Sequence, residues 1–215
     1  PAKALVGEMV TAKINTVPDK LEEVSYRWMP LTTNAKQLQE SPDGTSITFY
    51  ATNALQITVE ALAVVKGSGE ELGKVKGYFN AERFNVKAEG PKVQGPKPMI
   101  WQPGVGLVEV DKEIAVHQVV EFNTVVSPQP SSTLTYTWQV MEGNASVSNP
   151  ASRDARVTAL ETGTVKLKVT VKDNNGVELG DAIAVFNATV SNDMIKNGAS
   201  QKKAFDDKMQ QARQL

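Results

Sequence analysis

The chain is predicted to be all-β: two tandem β-sandwiches followed by a short C-terminal α-helix. Three observations carry this. Val (27) and Thr (17) supply 44 of the 215 residues, a β-branched bias that suits pleated, half-buried strands. Apolar and polar residues alternate with period two in several segments. One set of residues then recurs at a nearly constant offset, as tandem domains do.

The alternation is longest at Val165-Lys166-Leu167-Lys168-Val169-Thr170-Val171-Lys172, which reads as a strand with one face in a core and one in water. Val24-Ser25-Tyr26-Arg27-Trp28, Leu134-Thr135-Tyr136-Thr137-Trp138 and Ile57–Leu62 alternate in the same way. The pattern apolar-x-Tyr-x-Trp at 24–28 returns at 134–138, an offset of 110. The residues Gly69, Glu71, Leu72, Gly73, Phe79, Asn80 and Ala81 return as Gly176, Glu178, Leu179, Gly180, Phe186, Asn187 and Ala188, all at an offset of 107. Two domains of about 100 residues are the reading that fits this period.

Each repeat is expected to pair its last two strands through a hairpin. Lys172-Asp173-Asn174-Asn175-Gly176 and Lys66-Gly67-Ser68-Gly69 hold the residues that reach positive φ in tight turns. Each Tyr-x-Trp segment is expected to be a central strand, its two aromatics on one face. Tyr26, Trp28, Phe79, Tyr136, Trp138 and Phe186 are therefore the expected core aromatics.

A strand that buries a tryptophan between two sheets is an immunoglobulin-like arrangement. The second repeat resembles a PKD-type immunoglobulin-like domain, through Leu134–Trp138, Gly143 and the run Val165–Gly176. It departs from that pattern after the tryptophan. Gln-Val-Met-Glu-Gly follows Trp138 where the family carries a Gly-Asp-Gly turn. The resemblance implies sandwiches of the kind found in bacterial surface proteins, including modules that flank hydrolases.

Between the repeats, Pro91, Pro96, Pro98 and Pro103 stand among Gly90, Gly95 and Gly104. Such a stretch is expected to break strand ladders and act as a semi-rigid linker. The expected division is residues 1–90 for the first sandwich, 91–98 for the linker, 99–192 for the second and 193–215 for a helical tail. In that tail Ser200 is the expected N-cap and Gly198 the break before it. Phe205, Met209 and Ala212 fall on one face at i, i+4, i+7, a candidate helix interface.

Composition excludes several chemistries. Lys+Arg is 23 and Asp+Glu is 24, so no basic excess suits nucleic acid. The absence of Cys removes thiol catalysis, disulfides, zinc–thiolate sites and iron–sulfur clusters. The chain opens Pro1-Ala2-Lys3, as a processed or recombinant fragment does, and no apolar run approaches a membrane span. His117 is the single histidine, in the strand-like run Ile114–Phe122, and no Gly-x-Ser-x-Gly elbow accompanies it. Glu22-Glu23, Glu70-Glu71 and Asp206-Asp207 are read as solvated charges. Asp173–Gly176 and Ser41-Pro42-Asp43-Gly44 have calcium-ligand residue types without the spacing of a calcium loop, so both are read as turns. Asn144 and Asn187 match the glycosylation acceptor pattern by chance.

Trp101 has no repeat partner and sits in the Pro/Gly stretch. It is the candidate binding aromatic, either as an interface wedge or as a platform for a sugar ring. The functional expectation is a non-catalytic structural or adhesive module of an extracellular or cell-envelope protein. Its partners would be other protein subunits or domains of a larger surface assembly. The alternative is a carbohydrate-binding or accessory module of a secreted hydrolase, with polysaccharide as partner. No cofactor, metal or nucleic acid is expected.

Overall fold

The computed structural model describes residues 2–15, 23–95, 99–102, 104–109 and 114–212. The chain forms two compact units. Unit 1 comprises Pro1–Val86, Val126–Thr135 and Val171–Gly180; unit 2 comprises Lys87–Val125, Tyr136–Thr170 and Asp181–Leu215. Neither unit follows the expected boundaries at residues 90, 98 and 192.

The first repeat supplies strands β1 (Ala2–Leu5), β2 (Met9–Lys13), β3 (Val24–Trp28), β4 (Ala35–Glu40), β5 (Ser46–Ala51), β6 (Gln56–Val65) and β7 (Glu71–Glu82). They form a four-stranded sheet in the order β1-β7-β6-β3 and a three-stranded sheet in the order β2-β5-β4. β1 runs parallel to β7, with Ala2 opposite Phe79, and every other pairing in these two sheets is antiparallel. Alternation explains the layering. Ile47 and Phe49 point inward from β5, Ile57 and Val59 from β6, and all four are buried. Phe79 meets Phe49 edge-on, with ring centroids 5.4 Å apart.

Val177 and Leu179 complete this core, although they belong to the second repeat. Around them, the Phe84 N–H donates to the Leu179 carbonyl at 3.0 Å. Arg83 Nη1 lies 2.9 Å from Glu178 Oε1. Gly7, at φ +80°, brings backbone so close that a Cβ there would sit 2.8 Å from Leu179 Cδ2 and 2.9 Å from Asp173 Oδ2.

After β7 come β8 (Asn85–Val93), β9 (Met99–Gln102) and β10 (Gly106–Glu109), then β11 (Ile114–Ala115) and β12 (Val119–Ser127). The second repeat continues with β13 (Thr135–Glu142), β14 (Ala145–Val147), β15 (Asp154–Ala159), β16 (Gly163–Lys172) and β17 (Glu178–Val190). Their sheets are β11-β17-β16-β13 and β14-β15-β12-β8, with β9 and β10 as a separate antiparallel hairpin. From β11 onward this is the topology of the first repeat strand for strand, including the parallel first pair. Val165, Leu167, Val169 and Val171 of β16 and Ala184, Phe186, Ala188 and Val190 of β17 are all buried, as their alternation requires. The fold is all-β and immunoglobulin-like.

Several sequence expectations are corrected. β3 and β13, which carry Tyr-x-Trp, lie at sheet edges instead of centrally. Alternation reports the buried face and is silent on lateral position. The edge of β13 is covered by a loop carbonyl, since the Trp138 N–H donates to Pro150 O at 2.8 Å. Residues 91–93 of the expected linker are the end of β8, and 96–98 lie outside the described residues. Pro91 is tolerated because β8 is an edge strand, where one missing N–H need not break a ladder. Met99 opens the separate hairpin, not the first strand of the second sandwich. The terminal helix α1 spans Asn192–Ala212, beginning eight residues before Ser200 and running through Gly198. A mid-helix glycine costs about 1 kcal/mol, which a helix packed on other elements absorbs.

Candidate functional site

The two repeats hold their tryptophans in one way. Trp28 on β3 donates from Nε1 to the Gly44 carbonyl at 2.9 Å. Trp138 on β13 donates from Nε1 to the Ser152 carbonyl at 3.1 Å. Both acceptors lie in the turn that leads into the next-but-one strand, β5 or β15. An indole N–H taken out of water needs such a partner. Trp138 is 3% exposed and its ring stands 6.2 Å from that of Phe122, which is 5.9 Å from Phe186. Trp28 is half-buried and packs against the core of unit 1. Tyr26, Tyr136 and Phe79 are half-buried and Phe186 is buried. Burial raises the Tyr136 hydroxyl above its ordinary pKa.

The two turns with calcium-type residues spend their carboxylates locally. Asp43 accepts from Ser41 Oγ at 2.5 Å, from the Thr45 N–H at 3.1 Å and from Thr45 Oγ1 at 2.8 Å. Those bonds, Ser41 first, hold its pKa down at about 2. Asp173 is 2% exposed, and its Oδ1 accepts from the N–H groups of Asn175 and Val177 at 2.9 and 2.8 Å. Its Oδ2 is buried without a hydrogen-bond partner among the described residues, against Gly7. Both segments are turns built by an Asp side chain closing on its own backbone.

His117 is exposed, in a turn between β11 and β12 with φ +66°, and not in a strand as its neighbours suggested. Its N–H donates to the Ala159 carbonyl at 2.9 Å. Among the described residues no three of His, Asp and Glu come together in a metal-binding group. Asn144 Nδ2 donates to Glu161 Oε1 at 3.0 Å, and Asn187 Oδ1 accepts from Thr164 Oγ1 at 2.8 Å.

What the repeat does not account for is the β9–β10 hairpin and α1, which pack on each other in unit 2. Trp101 lies on β9 opposite Leu107 of β10. Its side chain, like that of Ala212, is outside what the structure describes. Val105 near the hairpin tip is 73% exposed, and Phe205 and Met209 on α1 are 51% and 44% exposed. Composition alone could not find this arrangement, because the hairpin's turn is written in the same Pro and Gly residues that read as a linker. No helix among the described residues is long and apolar enough to cross a membrane.

Residues 109–186 match the family model described as K319L-like, PKD domain. That segment together with the sandwich around it is immunoglobulin-like and PKD-like. No curated protein sequence matches the chain. Among solved structures, the D00-D0 domain of intimin is similar at 11% identity and a TM-score of 0.32, over 88% of this chain and 96% of that one. SGBP-B of the Bacteroides ovatus mixed-linkage glucan utilization locus, in complex with a mixed-linkage heptasaccharide, is similar at 8% identity and a TM-score of 0.29, over 87% of this chain and 42% of that one. Invasin, described as a bacterial integrin-binding protein, is similar at 15% identity and a TM-score of 0.28, over 85% of this chain and 35% of that one.

Proposed function

We propose that this chain is a non-catalytic spacer and protein-interaction scaffold of an extracellular or cell-envelope assembly. One observation carries the reading: the core of unit 1 contains Val177 and Leu179, which the second repeat contributes. Burying each of these side chains is worth about 1.5–3 kcal/mol. Unit 1 is therefore complete only with residues from both repeats. A structural module whose core draws on two repeats suits a scaffold of sandwiches in series. The β9–β10 hairpin and α1 are the surface on which this reading places a protein partner, through Trp101, Val105, Phe205 and Met209.

The location is tested by protease treatment of intact source cells. Loss of the native polypeptide without lysis supports a surface position; full protection until lysis and a cytosolic fraction would contradict it. The interaction is tested by cross-linking of source material to the chain. Adducts that disappear in a Trp101→Ala, Val105→Ser double variant support the hairpin, and adducts that persist unchanged place the partner elsewhere.

A further inference from the structure

The two repeats differ at one sheet edge. In the second, the three strands β14, β15 and β12 are extended by β8, which covers the free side of β12. In the first, the matching sheet β4-β5-β2 stops at β2, and no described strand covers it. The chain crosses from β1 to β2 at Gly7, so the last strand of each sheet borders the same opening. That opening is a groove of about 470 Å³ lined by Lys3, Ala4, Leu5, Met9, Val10 and Glu82, with Glu8.

The backbone of β2 is set up for another strand. Ile14 donates to Thr45 at 2.8 Å, and the register pairs Ala12 with Ile47 and Val10 with Phe49. Antiparallel ladders alternate, so Val10 and Ala12 spend their N–H and C=O groups on β5. Those of Met9, Thr11 and Lys13 point away from β5, with Met9 at the groove. An edge with unpaired groups is a template for strand addition.

The neighbouring β8 shows what such a strand looks like. It runs antiparallel to β12, because the Gln94 N–H reaches Val119 O while Gly90, earlier in β8, lies against Glu121 and Phe122, later in β12. Val86 is buried and Ala88 half-buried, and Lys87 and Glu89, which alternate with them, are exposed. Over Phe122 only glycine fits, since a Cβ at Gly90 would lie 2.7 Å from its ring. Ala12 of β2 takes the place of Phe122, so a strand added beside β2 would meet a methyl group where β8 meets a ring.

We propose that the β2 edge is a strand-acceptor site, filled by an extended segment of β8's character from an adjoining immunoglobulin-like repeat. Such a segment alternates small apolar residues, inward, with charged ones. This goes beyond the spacer reading and does not depend on it. It names a docking mode by which further repeats would join in series.

The test uses the full chain carrying, ahead of Pro1, a second copy of Phe84–Gln94 on a Gly/Ser linker of about 20 residues, which gives an effective concentration in the millimolar range. Amide hydrogen exchange is read residue by residue. Exchange at Met9, Thr11 and Lys13 is expected to slow at least about ten-fold, with Val10 and Ala12 unchanged. The slowing should vanish when the added copy carries Lys87→Pro and Ala88→Pro, which leaves the acceptor intact. Thr11→Pro removes an N–H that β5 does not use, and should abolish protection at Met9 and Lys13. No slowing in the extended chain would overturn the proposal. So would protection in the unextended chain that grows with its concentration, because that makes a second copy's edge the occupant.

Discussion

Trp28 and Gly44 are joined by an indole-to-carbonyl hydrogen bond of 2.9 Å, and the same bond reappears 110 residues later between Trp138 and Ser152 at 3.1 Å. The repeat is therefore preserved in its polar detail as well as its topology. In each case the tryptophan fixes an edge strand to the turn that enters the opposite sheet. Losing the indole should cost more where water is better excluded. Trp138→Phe is expected to destabilise by about 2–4 kcal/mol, through a cavity and an orphaned acceptor. Trp28→Phe, at a half-buried site, should cost about half of that or less. Chemical denaturation of the two variants checks the order, and equal losses would count against it.

The Asp43 turn predicts a pH dependence. Its folded pKa of about 2 lies below the ordinary carboxylate value of 3.8. The unfolded chain therefore binds the proton first as pH falls. The stabilisation is complete above the ordinary carboxylate range and is lost as pH drops toward about 2. Asp43→Asn should be less stable than the parent chain at neutral pH, and the difference should close across that acid window. A carboxyl resonance of Asp43 that titrates at its ordinary value would contradict this.

Gly7→Ala is expected to destabilise unit 1 by about 2–4 kcal/mol. Positive φ and two contacts under 3 Å act together there. The relief test is Gly7→Ala combined with Leu179→Val. The smaller side chain should recover part of the loss, because one of the two contacts is with Leu179 Cδ2. Strict additivity would show that the Leu179 contact contributes nothing, leaving φ strain and the Asp173 contact responsible.

Asp173→Ala removes the acceptor of the buried Val177 N–H and of the part-buried Asn175 N–H, and should cost about 1–3 kcal/mol, most of it at Val177. Asp173→Asn keeps an oxygen for those amides and should be markedly milder. Thermal unfolding of the pair separates a turn-building role from mere volume.

Much of this fold is legible in the residues alone, and what is not legible has identifiable causes. The hairpin pairing of the last two strands follows from Asn175 and Gly176, whose φ of +79° at Gly176 is the conformation the residue was expected to supply. The buried faces of β16 and β17 follow from strict alternation. The strand β8 was hidden by Pro91, since proline signals a break without saying whether the strand is at an edge. The start of α1 was hidden by Gly198, a weak breaker that packing overrides. His117 looked like a strand residue because its neighbours alternate. Its positive φ comes from the turn that carries the chain from β11 to β12, and no local pattern records a crossing between sheets. The participation of Val177 and Leu179 in the core of unit 1 is a long-range event, and the sequence marks Val177 only as apolar and Leu179 only as a repeat position matching Leu72.

The central claim is that the first repeat's core is completed by the second repeat's hairpin, and Leu179→Ala tests it most directly. Two single-tryptophan backgrounds are needed, one keeping Trp28 and one keeping Trp138, with the other tryptophans replaced by Phe. Leu179 is 1% exposed, so the truncation should cost about 2–5 kcal/mol. The account predicts that the unfolding transition reported by Trp28, 151 positions away in sequence, moves to lower denaturant by that amount. A Trp28 transition that stays in place while only the Trp138 transition moves would contradict it.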